Sequence, residues 1–219
     1  MARKHGVYRF VKRFFDILFG VVALVVTSPL LLILYILVAV DSGFPVIFKQ
    51  NRVGMKGKLF EIYKFRSMRK DAPNVVATKD FEDPYKYITR VGKFLRKTSL
   101  DELPQLINVV KGDMSLVGPR PLIENEGDIH KYRMEAGVYS VRPGLTGWAQ
   151  INGRDFVPDR EKVKYDKEYA ENLSFGFDLK IIFRTIFVVW NKEGYAEGKQ
   201  IKKKKRNNKK KNSKKKRKK

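Results

Sequence analysis

ILFGVVALVVTSPLLLILYILVAV, residues Ile17 to Val40, is a run of 24 positions without a charge, bounded by Asp16 and Asp41. It is far too long for an ordinary core strand and matches the roughly 20 apolar residues of a membrane helix. A signal peptide is the obvious alternative, but the run exceeds a typical signal core and has no small-x-small cleavage site before Asp41. Thr27-Ser28-Pro29 stands at its middle. Proline removes a backbone donor and crowds the preceding turn, so a kink or break is expected at Ser28-Pro29. Each half is then about 12 residues, or ~18 Å of helix, against a hydrocarbon core about 30 Å thick. A bent helix of that size enters and leaves one leaflet. Arg3, Lys4, Arg9, Lys12 and Arg13 precede the run, and Lys49, Arg52, Lys56 and Lys58 follow it. The positive-inside tendency keeps both flanks cytoplasmic. A straight span with a tolerated proline is the competing reading.

The rest of the 219 residues limits how much membrane there is. With 43% hydrophobic and 32% charged residues, the chain is neither a disordered polymer nor a bundle of many spans. Its length suits one catalytic-sized domain with appendages. There are 47 Lys and Arg against 23 Asp and Glu, a net charge of +24. Lys202 to Lys219 holds 14 cations in 18 positions and no acid, so residues 1–201 still carry +10. A basic body suits polyanions: nucleic acid, anionic lipid headgroups or phosphorylated small molecules. The absence of cysteine excludes disulfides, thiolate metal sites and thiol nucleophiles, and the two histidines, His5 and His130, are isolated. Chemistry is left to carboxylates and arginines.

After Asp41, the segments Phe44 to Phe48, Asn51 to Lys58 and Leu59 to Phe65 read as strand, basic turn, strand. Residues 71–87, with Pro73 and Pro84, read as a surface loop. Val91 to Lys97 and Leu103 to Val110 read as short helices with Asp101-Glu102 at their junction. Glycines and prolines punctuate the segment from Gly112 to Gly153, a loop-rich middle of the kind that carries function. Arg160 to Asn172 reads as a helix. So does Asp178 to Asn191, apolar nearly all round and expected to be a buried core helix, with a helix resting in the membrane interface as the alternative. There are no internal repeats.

Two features carry chemistry. Asp101-Glu102 opens a helix, since Pro104 fits a first turn. The bland reading is capping: Ser99 and Glu102 have capping-box spacing, and Asp101 is itself an acceptable N-cap. A helix start also stabilises a carboxylate and a bound phosphate, so the acidic pair is equally placed to serve an anionic nucleophile near a diphosphate. The second feature is arginine set in rigid turns: Gly118-Pro119-Arg120-Pro121-Leu122, Arg142-Pro143-Gly144 and Asn152-Gly153-Arg154, with Arg96 just before the acidic pair. A fixed guanidinium fork matches phosphate oxygens, which suggests a phosphate clamp, with scattered surface ion pairs as the alternative.

Taken in order, these motifs resemble a family: Phe15-Asp16 with Ser28-Pro29; Gln50-Asn51-Arg52-Val53-Gly54; Tyr63-Lys64-Phe65-Arg66-Ser67-Met68; Ser99-Leu100-Asp101-Glu102-Leu103-Pro104-Gln105-Leu106; Asn108 to Lys111 with Gly112-Asp113-Met114-Ser115; Val117 to Leu122; and Arg142-Pro143-Gly144-Leu145-Thr146-Gly147-Trp148-Ala149-Gln150. Over roughly Val11 to Trp190 the chain resembles the bacterial sugar transferases, the monotopic phosphoglycosyl transferases. Each motif alone is weak, and the ordered set is specific. The resemblance implies an α/β fold: a re-entrant membrane helix over residues 16–41 broken at Ser28-Pro29, then a small loop-rich cytosolic α/β catalytic domain over 42–200 with interfacial amphipathic helices. Residues 1–15 form a basic N-terminal segment and 201–219 a Lys-rich disordered tail outside the family pattern. The chain lacks the multi-span N-terminal region of many longer relatives and resembles the minimal form.

The resemblance further implies a Mg2+-dependent enzyme at the cytoplasmic face of the bacterial inner membrane. It would transfer a sugar-1-phosphate from a UDP-sugar to a polyprenol phosphate, usually undecaprenyl phosphate, and release UMP as the first membrane step of glycan assembly. Asp101 matches the nucleophile and Glu102 its partner near magnesium. Arg96, Arg120 and Arg154 match phosphate binders. Magnesium's preference for oxygen ligands and substrate phosphates agrees with a chain that has no cysteine. Membrane lipids are expected partners and a specific nucleic acid is not, since basic tails bind polyanions unselectively. A nucleic-acid-binding protein and a membrane-anchored module without activity remain the rivals from other classes, and UMP release from a UDP-sugar separates them from the enzyme.

Overall fold

The computed structural model describes residues 6–73, 83–153 and 157–190. Arg154, His5 and the Lys-rich tail lie outside the described residues. The apolar run becomes α1 (Gly6–Ser42), a single 37-residue helix with Pro29 inside it, ~55 Å long at 1.5 Å per residue. Where the sequence suggested two halves, α1 continues through Ser28-Pro29 as one element. Pro29 offers no N–H to the Val25 carbonyl four residues back, and the Ser28 hydroxyl donates to that carbonyl instead at 2.7 Å. Thr27 Oγ1 likewise donates to Ala23 O at 2.6 Å. Hydroxyls that satisfy freed carbonyls are what lets a helix tolerate proline in an apolar setting.

Downstream follow β1 (Ile47–Val53), β2 (Leu59–Phe65), α2 (Arg90–Thr98), α3 (Gln105–Lys111), β3 (Ser115–Val117), α4 (Ile129–Glu135), β4 (Gly144–Thr146), α5 (Trp148–Ile151), α6 (Asp159–Glu171) and α7 (Phe175–Trp190). β1 and β2 form an antiparallel hairpin in register from Ile47 opposite Phe65 to Val53 opposite Leu59. Its basic turn places Lys56 and Gly57 at φ 59 and 74. β1 runs to Val53, five residues past the expected strand end at Phe48, because Gln50 to Val53 pair fully with Leu59 to Ile62. β3 and β4 form a short parallel pair, Ser115 opposite Gly144 and Val117 opposite Thr146. The fold is thus a mixed helix and sheet arrangement in which helices dominate.

Both ends of α1 dock on this body. Near its start, Arg13 donates to Val109 O and Val110 O at the end of α3 at 2.6 and 2.8 Å. Buried Asp16 accepts the Leu116 N–H of β3 at 3.0 Å. Tyr8 and Lys12 donate to Asp178 of α7 at 2.7 and 2.6 Å. Near the other end, Leu34 and Val38 are buried with Val46, Phe65 and Leu95, and Asp41 accepts the Val91 N–H at 3.1 Å. Between Gly20 and Leu34 no residue of α1 is buried.

α7 corrects the expectation of a core helix. Ile181 and Val188 are buried with Val117, Tyr169 and Leu173, while Phe175, Phe183, Ile186 and Phe187 on the same helix are exposed. An apolar residue on every side made the sequence look uniformly buried, but a helix packed on one side covers only one stripe.

Candidate active site

The acidic pair lies in a single 3-10 turn, Leu100–Glu102, wedged between α2 and α3. α2 ends at Ser99, whose left-handed φ of 58° lets its N–H reach Arg96 O and Leu95 O. α3 starts after Pro104, as a proline at a first turn should. The expected capping box is not made. Neither Ser99 nor Pro104 supplies a side-chain cap, because a capping serine needs extended backbone and Ser99 is left-handed. Asp101 caps nothing, yet it is buried at 8% exposure.

β2 is brought to this turn by Asn108, which is fully buried. Its Oδ1 accepts the Tyr63 N–H at 3.0 Å and its Nδ2 donates to Glu61 O at 2.7 Å. One amide side chain of α3 thereby pairs with the edge of β2 as a neighbouring strand would. The next residue of β2, Lys64, then reaches Glu102: Nζ lies 2.6 Å from Oε1. Arg120 Nη2 approaches the same Oε1 at 3.2 Å. No described residue bonds Oε2. Arg96, at the end of α2, donates to Ser67 Oγ at 3.4 Å and lies close enough to Asp101 to act on its charge.

Burial is the largest influence on Asp101 and raises its pKa; Lys64 opposes it, Glu102 adds to it, and Arg96 and Arg120 oppose it. Glu102 goes the other way. Burial alone would raise it, but Lys64 and Arg120 together hold it well below the usual carboxylate range. Arg52, half-buried and near Arg120, is pushed down to about 10, first by burial and then by that neighbouring charge. The adjacent carboxylates are thus driven in opposite directions, Glu102 down and Asp101 up. The more basic carboxylate is the better nucleophile, and separated pKa values on paired groups are a mark of functional sites.

Cations outnumber carboxylates here: Lys64, Arg52, Arg96 and Arg120 act on Asp101 or Glu102. Such an excess suits a ligand with several anionic oxygens, and guanidinium forks suit phosphates. Among the described residues, no group of three or more His, Cys, Asp or Glu could hold a metal unaided. Asp101 and Glu102, with Oε2 of Glu102 unbonded, fit the other pattern of oxygen coordination, one or two carboxylates completed by substrate phosphates.

Of the residues singled out in the sequence, Asp101, Glu102, Arg96 and Arg120 come together, and Arg154 falls outside the described residues. Arg142 makes no described contact with the acidic pair; its Nε donates to Gly112 O at the end of α3 at 3.0 Å. Its turn instead packs against the Arg120 turn. A Cβ on Gly144 would come within 2.0 Å of Gly118 N, and one on Gly147 within 2.1 Å of Gly118 O, so both glycines serve close backbone contact. Lys64 was not singled out beyond its motif. A lysine inside the apolar strand Leu59–Phe65 was its available signal, since a half-buried lysine needs an anionic partner.

The chain matches the model of the bacterial sugar transferase family over residues 7–192. It is 44% identical over 199 residues to the UDP-glucose:undecaprenyl-phosphate glucose-1-phosphate transferase of Escherichia coli, covering 87% of this chain and 42% of that protein. It is 42% identical over 201 residues to the undecaprenyl-phosphate galactose phosphotransferase of Salmonella typhimurium, covering 85% of this chain and 42% of that protein. With the uncharacterized sugar transferase EpsL of Bacillus subtilis it shares 40% identity over 192 residues, 87% of this chain and 92% of the relative. The chain therefore spans less than half the length of the first two and nearly all of the third. A match running from the start of α1 to the end of α7 takes in every element that builds the site, and the chain belongs to the bacterial sugar transferase family.

Proposed function

We propose that this protein is a phosphoglycosyl transferase that moves a sugar-1-phosphate from a UDP-sugar to a polyprenol phosphate, undecaprenyl phosphate by the names of its relatives, and releases UMP. One observation carries the reading: an acidic pair that caps no helix, buried Asp101 and half-buried Glu102, set among Lys64, Arg96 and Arg120.

In the first step a carboxylate oxygen of Asp101 attacks the phosphorus that bears the sugar. The bond from that phosphorus to the bridging oxygen of the diphosphate breaks, and UMP departs with the electron pair. In the second step an oxygen of the lipid phosphate attacks the same phosphorus, the bond to Asp101 breaks, and polyprenyl-diphosphate-sugar leaves with the carboxylate restored. Splitting the transfer into two displacements is the benefit of a covalent nucleophile. Arg120 and Arg96 face the diphosphate oxygens and offset charge as it moves onto the leaving phosphate. Lys64 holds Glu102 ionised and fixed. Glu102 would be the residue that holds Mg2+, which would supply further positive charge for the departing phosphate. Arg154 is proposed as a third phosphate ligand on the family pattern.

The membrane placement we propose is re-entrant, with α1 entering one leaflet of the inner membrane from the cytoplasmic face. Among the described residues one helix, Gly6–Ser42, is long and apolar enough to cross a membrane by length and composition. Support for the re-entrant form is that residues at both of its ends touch one body while none from Val21 to Ile33 is buried. A full span would put one end beyond reach of that body. The exposed apolar face of α7 would lie in the interface.

The test is a panel of UDP-sugars with polyprenol phosphate, reading UMP, with mass spectrometry of protein quenched without acceptor. A sugar phosphate on the peptide holding Asp101 is the expected result. UMP formation that strictly requires acceptor and leaves no adduct would replace the two-step path by direct transfer, and no UMP from any UDP-sugar would overturn the reading. For topology, His5→Cys and Lys56→Cys in this cysteine-free chain should label from the same side.

A further inference from the structure

The segment that carries Arg120 is held almost wholly by its carbonyl oxygens. Pro119 and Pro121 have no N–H to donate, so fixation must come through acceptors. Five consecutive carbonyls are met. Pro119 O accepts from Gly144 N–H at 2.9 Å, Arg120 O from Arg133 Nη1 at 2.8 Å, Pro121 O from Arg52 Nη1 at 3.2 Å, Leu122 O from Val53 N–H at 2.9 Å, and Ile123 O from His130 Nε2 at 2.7 Å. A carbonyl can only accept, so Nε2 of His130 carries the proton. Arg133 is 3% exposed, and its other prong donates to Asp166 Oδ2 of α6 at 2.6 Å, itself 1% exposed. Replacing such a pair with apolar residues often costs no stability, so stability alone is weak grounds for it. What this pair does have is a second prong bonded to one carbonyl, that of the arginine on Glu102.

We infer that Arg133, anchored by Asp166, is a positioning residue of the transfer site, acting through the Arg120 carbonyl to hold that guanidinium over Glu102 and the diphosphate. His130 performs the same task at Ile123. The inference rests on the phosphate-transfer reading above. Arg120 is half exposed at its side chain, 47%, so its aim depends on a fixed backbone, and misplacement of a catalytic group by about 1 Å is enough to cost ~100-fold in rate.

The experiment is a double-mutant cycle on the full chain in detergent, reading UMP from a UDP-sugar and polyprenol phosphate: wild type, Arg133→Lys, Arg120→Ala and the double variant. Arg133→Lys keeps a charge for Asp166 but not the planar fork. It should lower kcat/KM by about 10- to 100-fold and should change it less than about 2-fold once Arg120 is already alanine, because residues acting as a unit are not additive. His130→Ala, which leaves the buried ion pair intact, should show the same dependence on Arg120 and serves if Arg133→Lys fails to unfold cooperatively. Wild-type kinetics in both single variants, or the same fold-loss with and without Arg120, would overturn the inference. A wild type that releases no UMP would instead overturn the functional reading.

Discussion

Asp101 and Asp166 are both aspartates withdrawn from water, at 8% and 1% exposure, and they sit in opposite settings. Asp166 faces one guanidinium, Arg133, at 2.6 Å, in a pair whose side chains are 4% and 1% exposed. Burial raises its pKa, as it does that of Asp101, with Arg133 and then Lys162 opposing the rise. Asp101 shares its surroundings with Glu102, Lys64, Arg96 and Arg120, and Glu102 takes Lys64 and Arg120 on a single oxygen. The Arg133–Asp166 contact is sealed inside the core, whereas around Asp101 and Glu102 several cations act on two adjacent carboxylates at a partly exposed surface, a setting suited to a ligand with anionic oxygens.

The largest way to break the comparison is Asp101→Asn. It removes the nucleophile and should lower UMP release by on the order of 10³-fold or more, while thermal unfolding is unchanged or slightly improved. The sign follows from its raised pKa: an ionised carboxylate whose folded pKa lies above its unfolded value costs stability once pH exceeds the unfolded value, and asparagine removes that cost. Turnover near wild type would place Asp101 with Asp166 as a structural residue. Asp166→Asn is the converse. It strands the buried Arg133 charge and should destabilise the fold by ~3–5 kcal/mol, measured by denaturant unfolding in detergent. A loss under ~1 kcal/mol, the range of exposed pairs, would mean that the pair is not closed.

Arg120→Ala comes next, with an expected 10- to 100-fold loss in kcat/KM, the value of one charge-assisted hydrogen bond at ~1.5–3 kcal/mol. The pH profile sharpens the same contrast. Because Asp101 acts as the anion and its pKa is raised, kcat/KM should climb with pH along an acid limb centred above the free aspartate value of about 3.9. A limb at or below that value would contradict the burial argument. Smallest is Ser28→Ala, which frees the Val25 carbonyl and should cost about 1 kcal/mol or less without altering turnover, checked by thermal unfolding and UMP release together.

Much of the site was legible in one dimension. Asp101, Glu102, Arg96 and Arg120 stand out because carboxylates and turn-held arginines are conspicuous in a chain with no cysteine and two histidines. Lys64 escaped notice because its role depends on Asn108, whose amide pairs with β2 from another element. Arg142 looked like Arg120 in its Pro-Gly setting, and only packing separates them: one lies on Glu102, the other on the end of α3 at Gly112. The capping box failed for a local reason, since residue spacing carries no φ angle and Ser99 is left-handed.

Local rules, acting over one or two turns, determined the helix of α1 from its uncharged run, the start of α3 at Pro104 and the hairpin of β1 and β2. Tertiary structure decided the rest. That residues near both ends of α1 touch the same body, that α7 buries Ile181 and leaves Phe183 bare, and that Lys64 sits 2.6 Å from Glu102 are contacts between residues far apart in the chain. A side chain's partner across such a distance is set by shape and by the need to satisfy each buried polar group, and neither is encoded in any short stretch of sequence.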